Sequence, residues 1–324
     1  MSFVPPFGLG NRHIQTIFSS VGPRRARVRR AFKPHQIQEQ DVILKCHDDI
    51  RLSGILNLAG NSPASKLVIM IHGWEGSAGS SYMLSMTTRL LEQGIDVFRL
   101  NLRDHGQSHH LNRGIFNSTL LPEVLSGLED LQARYSYQSY SLVGFSLGGN
   151  FALRVAAAAH DRAIELSKVI VFCPALHAAR SNVLLNSPAN YVYGQYFVRK
   201  WKSSLLKKLE YFPDYEYRSK LDDMNTLDQM NAALIPEYTE FDNIESYFDA
   251  YAVVGDVLKN TICPCYLHFS KDDMMIPYED IKQLAYNPKL DITLTEKGGH
   301  CGFLMNWKLD TWQDYRVMEL IRNY

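Results

Sequence analysis

The chain is short of the features that mark several common classes. Its 324 residues hold five cysteines, Cys46, Cys173, Cys263, Cys265 and Cys301, scattered and odd in number. That usage excludes a disulfide-stapled secreted scaffold and fits free thiols in a reducing compartment. Cys263-Pro264-Cys265 has neither the two-residue spacer nor the second pair of a standard metal or redox motif. No apolar run approaches the ~20 residues of a membrane-spanning helix. The opening MSFVPPFGLGNRHIQT shows no basic stretch followed by an apolar one, so no secretory signal is expected. Neither charge sign is in excess: Lys+Arg and Asp+Glu each number 34, leaving no global field to attract nucleic acid. Internal repeats and low-complexity tracts are absent. These absences point to a cytoplasmic, soluble globular protein.

What is present is an alternation of strand and helix patterns. EQDVILKCHDDIRLSGILNLAG holds two alternating runs joined by His47-Asp48-Asp49, a hairpin signature. Continuous apolar runs follow at Lys66–His72, Ile95–Leu102, Tyr140–Phe145, Lys168–Ala175, Cys263–Ser270 and Asp291–Gly299. Runs without alternation suit strands buried on both faces of a parallel sheet. Helical patterns lie between and after them, such as SYMLSMTTRLLEQG, LPEVLSGLEDLQARY, LGGNFALRVAAAAHD and LDTWQDYRVMELIRNY. The rhythm predicts an α/β fold with a doubly wound, mostly parallel sheet of about eight strands. From Ala175 to Phe248 the rhythm breaks into Tyr- and Lys-rich, helix-prone sequence, too long for a simple loop. The expected organisation is an N-terminal extension over 1–35, a core over 36–174 and 249–324, and a helical cap over 175–248. Within the extension, Arg24 to Lys33 packs six cations into ten residues. It reads as a solvated connector beside the core, with contact to anionic lipid head groups or an acidic partner as the alternative.

Chemistry is concentrated at a few turns. Gly144-Phe145-Ser146-Leu147-Gly148 falls where an apolar strand ends and a helix begins. Glycines flanking the serine remove the Cβ atoms that would clash on so sharp a turn, and the helix N-terminus points its amides at the hydroxyl. A serine held this way reads as a nucleophile, with a plain turn filler as the alternative, and a hydroxyl needs a base and a carboxylate to become reactive. Just past the later strands stand Lys271-Asp272-Asp273-Met274-Met275-Ile276-Pro277 and Gly298-Gly299-His300. His300 is the expected general base. Asp273, at the strand's exit ahead of an apolar-Pro step, is the expected orienting carboxylate, with Asp272 as the alternative. Among the other histidines, His268 lies inside a strand and reads as packed.

The reaction also needs donors for an oxyanion. His72-Gly73-Trp74-Glu75-Gly76 follows the strand that should neighbour the nucleophile's strand. The backbone amides of Trp74 and Leu147 are the expected oxyanion donors. Asn101 to His110 clusters His and Asp, but its spacing matches no standard zinc pattern, so it reads as a hydrogen-bonded brace. His13 and Gln15, in Asn11-Arg12-His13-Ile14-Gln15-Thr16, read as residues that brace the fold from outside the sheet, with no chemistry assigned.

The strand followed by His-Gly-x-x-Gly, GFSLGG, Asp-x-x-Ile-Pro and GGHCGF together resemble the α/β-hydrolase superfamily, from about residue 40 onward. GNRHIQTIFSS, HGWEGSAGSSY and GFSLGGN narrow the resemblance to the YheT-like group, also called AB hydrolase family 4. The resemblance implies an α/β-hydrolase fold. It also implies a Ser-Asp-His hydrolase of carboxylic esters, often with medium or longer acyl chains, carried here by Ser146, Asp273 and His300. Some eukaryotic relatives carry an N-terminal membrane anchor, which this chain is expected to lack; peripheral membrane contact and a lipid substrate remain compatible with it. No metal or organic cofactor is expected. The same acyl-enzyme serves acyl transfer to an alcohol or thiol, which is the first alternative. A hydrolase fold reduced to a binding module is the second, disfavoured because all three polar positions are filled.

Overall fold

The computed structural model describes residues 3–60 and 63–322. Two short helices, α1 (Arg12–Phe18) and α2 (Pro23–Phe32), precede the sheet. The hairpin β1 (Glu39–Lys45) and β2 (Arg51–Asn57) follows, then β3 (Lys66–Ile71), α3 (Ser81–Leu91), β4 (Asp96–Asn101), α4 (Leu121–Arg134) and β5 (Ser139–Phe145). The chain continues through α5 (Leu147–Ala158), β6 (Lys168–Phe172) and four helices: α6 (Ala178–Asn186), α7 (Tyr191–Tyr211), α8 (Leu227–Tyr238) and α9 (Ile244–Ala250). It closes with β7 (Cys265–Ser270), β8 (Leu290–Thr295) and α10 (Trp312–Arg322). No helix among the described residues is long and apolar enough to cross a membrane.

The strands form one eight-stranded sheet in the order β1-β2-β4-β3-β5-β6-β7-β8, antiparallel at β1/β2 and β2/β4 and parallel elsewhere. The apolar runs are continuous because both faces of the central strands are covered. Leu67, Ile69 and Ile71 of β3 join α4 and α5 through Leu128 and Phe151. Val68 and Met70, pointing the other way, join Met86 of α3 and Trp312 of α10. This is an α/β-hydrolase fold. From β3 the chain first steps to β4 on one side and then crosses to β5 on the other, so the loops after β3 and β5 border the crevice where the strand order reverses.

The basic run corrects one expectation. It is not a connector but helix α2, and Arg24, Val28 and Phe32 bury one side of it at helical spacing. Val28 and Phe32 pack on Leu84 of α3. Arg24, 1% exposed, donates to the Leu309 and Ser19 carbonyls at 2.9 and 2.6 Å and lies 3.6 Å from Asp314. Four backbone and side-chain acceptors satisfy the guanidinium, which is the condition for burying a charge.

Helices α7 and α8 carry a small core of their own, in which Trp201, Leu205 and Leu209 meet Leu227, Met230 and Leu234. The start of α8 is fixed by a capping box between Thr226 and Gln229.

Candidate active site

Ser146 occupies the single residue between β5 and α5, with φ 53° and ψ −120°. A non-glycine residue at positive φ is strained and holds only where its surroundings over-determine it. Here they do. A Cβ on Gly144 would overlap the Gly148 carbonyl, and one on Gly148 would overlap the carbonyls of Ile71 and His72. Only glycine lets α5 begin this close to β3 and β5. The Ser146 N–H donates to the Phe172 carbonyl at 2.9 Å, pinning the turn to β6.

His300 comes from the turn after β8, behind Gly298 (φ 155°) and Gly299 (φ 56°). Its Nε2 lies 2.9 Å from Ser146 Oγ and its Nδ1 2.8 Å from Asp273 Oδ2. Asp273 Oδ1 accepts the Met275 and Ile276 N–H groups at 2.8 and 3.1 Å, which leaves Oδ2 for the imidazole. With Nδ1–H given to the carboxylate, Nε2 is the acceptor for the serine hydroxyl. The imidazole side chain is 12% exposed and the carboxylate 2%. Burial alone would lower the imidazole. The Asp273 carboxylate, with Cys301 and the Asp273 hydrogen bond, outweighs burial and raises His300 to about 9. Asp272, the alternative carboxylate, turns instead to the backbone and accepts the Gly299 N–H at 2.8 Å.

The loop after β3 brings Trp74 to the same rim, where it borders a cleft with Ser146, Leu147 and His300. Among the described residues, neither the Trp74 nor the Leu147 amide has an acceptor, and Leu147, as the first residue of α5, has none within its helix. The loop itself is tightly held. Gly73 N–H donates to Tyr82 Oη at 3.0 Å, Glu75 N–H to His105 Nε2 at 3.1 Å, and Leu102 N–H to His72 Nε2 at 3.2 Å. The Asn101–His110 segment is thus a brace, reinforced where Asp104 accepts from Lys208 Nζ at 2.7 Å and from the Phe116 N–H at 2.9 Å. Burial lowers His72 and His109 to about 3 and His105 to about 4, so these imidazoles stay neutral. His268 is also buried and lowered to about 3, packed against Phe172 and Trp312.

The cleft above Ser146 measures about 950 Å³, open to solvent, and is walled by turns of the sheet and by α6 to α9. Its lining is mainly apolar and aromatic and contains no Asp, Glu, Lys or Arg. Among the described residues, one group brings three metal-ligating side chains within 4.8 Å: Cys173, His300 and Cys301. Both His300 ring nitrogens already have partners in Ser146 and Asp273, so an ion there would break those bonds.

One part of the site went unread in the sequence. The His300 N–H donates to Thr16 Oγ1 at 2.9 Å, across 284 positions. Asn11–Thr16 stood out as an element, but no short-range pattern ties it to a loop so far along the chain.

The family model Hydrolase_4, described as serine aminopeptidase, S33, matches residues 62–300. The Escherichia coli (strain K12) protein named "Putative esterase YheT" is 26% identical over 332 residues, covering 99% of this chain and 93% of that protein. Among solved structures, the Pyrococcus furiosus esterase Pf2001 superposes with a TM-score of 0.62 at 16% identity, covering 90% of this chain and 95% of that one. The 2,6-dihydroxy-pseudo-oxynicotine hydrolase gives 0.60 at 18% identity over 92% and 72%. The two structures share the fold. The family match extends from before β3 to His300 itself, and on that ground the chain belongs to the Hydrolase_4 family of α/β hydrolases.

Proposed function

We propose that this hydrolase cleaves carboxylic esters through an acyl-serine intermediate, with Ser146 as nucleophile, His300 as general base and acid, and Asp273 as its orienting carboxylate. The observation that carries this reading is the unbroken chain Asp273–His300–Ser146, at 2.8 and 2.9 Å, beneath an apolar cleft. Neutral His300 takes the hydroxyl proton as Ser146 Oγ attacks the ester carbonyl, and Asp273 offsets the imidazolium charge. The unpaired amides of Trp74 and Leu147 receive the oxyanion, a contribution of about 3–4 kcal/mol per donor in comparable sites. His300 then protonates the departing alcohol. A water activated by the same imidazole releases the acid and restores Ser146.

Residues 175–248 act as the cap in this reading, and their apolar side chains with Trp74 hold a medium or long acyl chain. The family description names an aminopeptidase, yet the cleft has no carboxylate to pair with a substrate's α-ammonium. A neutral ester suits it better. The test is turnover of p-nitrophenyl esters of increasing acyl length beside amino-acyl p-nitroanilides. We expect kcat/KM to rise from acetyl toward medium and long chains, with anilides slower and Ser146→Ala inactive. A preference for anilides, or activity surviving Ser146→Ala, would contradict the proposal.

A further inference from the structure

We infer that helix α1 belongs to the active-site machinery: Thr16 and Gln15 are positioning residues that hold the His300 turn, and His13 ties the same helix to the segment that orients Asp273. This rests on the ester-hydrolase reading for its activity readout, and on geometry alone for the rest.

Almost every polar side chain of Asn11-Arg12-His13-Ile14-Gln15-Thr16 has a defined partner. Asn11 Oδ1 caps the helix by accepting the His13 and Ile14 N–H groups at 2.9 and 3.2 Å. Thr16 Oγ1 donates to the Arg12 carbonyl at 2.9 Å and accepts the His300 N–H at 2.9 Å, so one hydroxyl satisfies both helix and turn. Gln15 is fully buried and grips Leu304 by both backbone groups: Oε1 accepts its N–H at 2.6 Å and Nε2 donates to its carbonyl at 3.2 Å. The backbones nearly touch. A Cβ on Gly299 would stand 2.6 Å from the Arg12 carbonyl and from Thr16 Oγ1, and one on Gly302 would stand 2.5 Å from the Gln15 carbonyl. The glycines around His300 therefore serve the approach of α1 as well as the turn.

His13, three positions before Thr16 and so on the same side of α1, faces α7. His13 Nδ1 lies 2.9 Å from Tyr193 Oη, with the two rings stacked at 5.9 Å. Tyr193 packs with Met274, Met275 and Ile276, and the last two supply the amides that hold Asp273 Oδ1. Asn190, just before α7, donates to the Met274 carbonyl at 2.7 Å. Helix α1 is thus a strap between the base's turn and the acid's loop, which are 27 residues apart in sequence. An imidazole can be no better placed than its own backbone, and displacement by about 1 Å costs on the order of 10²-fold in rate.

The test uses Thr16→Val, which keeps the shape and removes the hydroxyl, Thr16→Ser, which keeps the hydroxyl, and Tyr193→Phe. We expect Thr16→Val to lower kcat by about 10- to 100-fold with little change in KM or Tm. Thr16→Ser should restore most of the loss, and Tyr193→Phe should give a smaller one. The low-field proton NMR signal of the His300–Asp273 hydrogen bond should shift or broaden in Thr16→Val and return in Thr16→Ser. Wild-type kcat and an unchanged signal in Thr16→Val would overturn the inference, as would a loss that Thr16→Ser does not restore. If Thr16→Val does not fold, Tyr193→Phe carries the test, and an unchanged kcat and signal there overturn it. A wild-type protein that turns over no ester sinks the function proposed above instead, while the NMR comparison still decides the role of α1.

Discussion

The turn at Ser146 is wedged among the central strands of the sheet, whereas the turn at His300 rests on a helix from the other end of the chain. Around the serine, Gly144 and Gly148 lie two residues to either side: a Cβ on the first would meet the start of α5, and one on the second the Ile71 and His72 carbonyls at the exit of β3. Around the histidine, the contacts come from Thr16 and Gln15 of α1, and from Asp272 and Ser270 after and within β7. A nucleophile on a sharp β-to-α corner needs a rigid local scaffold. A base must be carried to that corner by a loop, and loops take their precision from whatever they rest on.

The contrast can be broken at either end. The largest effect is expected at the elbow. Gly148→Ala forces a methyl group against the backbone of β3's exit, which cannot move aside as a side chain would. Overpacking of this kind costs about 1–3 kcal/mol or more, and we expect a lower Tm together with lost activity. A variant with wild-type Tm and turnover would show the elbow to be looser than its contacts indicate.

At the other turn, the two aspartates should separate. Asp273→Asn removes the charge facing Nδ1 and offers the wrong donor to the imidazole, a change that costs about 10⁴-fold in kcat in a comparable triad. Asp272→Asn disturbs only the Gly299 N–H contact and should cost no more than about 10²-fold. Equal losses in steady-state kinetics would leave the two roles undistinguished.

The pH dependence gives the smallest and most specific reading. In the proposed mechanism the base works in its neutral form, and His300 is raised to about 9 chiefly because Asp273 outweighs burial. Below that pH more of the imidazole is protonated, so kcat/KM should climb as pH rises toward about 9 and then level. In Asp273→Asn the raising partner is gone, and the inflection should move to lower pH. An inflection that stays in place would separate the titration from this pair.

Much of this architecture was open to reading in the residues themselves. The apolar runs from Lys66 to Ser270 mark doubly covered strands because central parallel strands bury both side-chain sets. The run at Asp291–Gly299, read the same way, supplies instead the edge strand β8, most of whose side chains reach solvent. The order Ser146, Asp273, His300 follows from their placement after β5, β7 and β8. Between Asp272 and Asp273 the pattern gave only a preference. Both lie at the exit of β7, and which one meets the imidazole depends on the local turn through Met275 and Ile276. Helix α2 was harder, because one of its three buried positions is Arg24. Its charge reads as solvent-facing until Asp314, the Leu309 and Ser19 carbonyls, Ser85 and Thr311 are brought around it. The seat of His300 on Thr16 was hidden for the same reason: a hydroxyl's partner 284 positions away leaves no periodic trace.

The central claim is that Ser146 is made nucleophilic by His300, and covalent trapping tests it most directly. With a fluorophosphonate probe, intact-mass and peptide analysis should find a single adduct on Ser146 of the wild-type protein, absent in Ser146→Ala and formed far more slowly in His300→Ala. An unlabelled wild-type protein, or labelling that proceeds equally fast without the imidazole, would contradict the account.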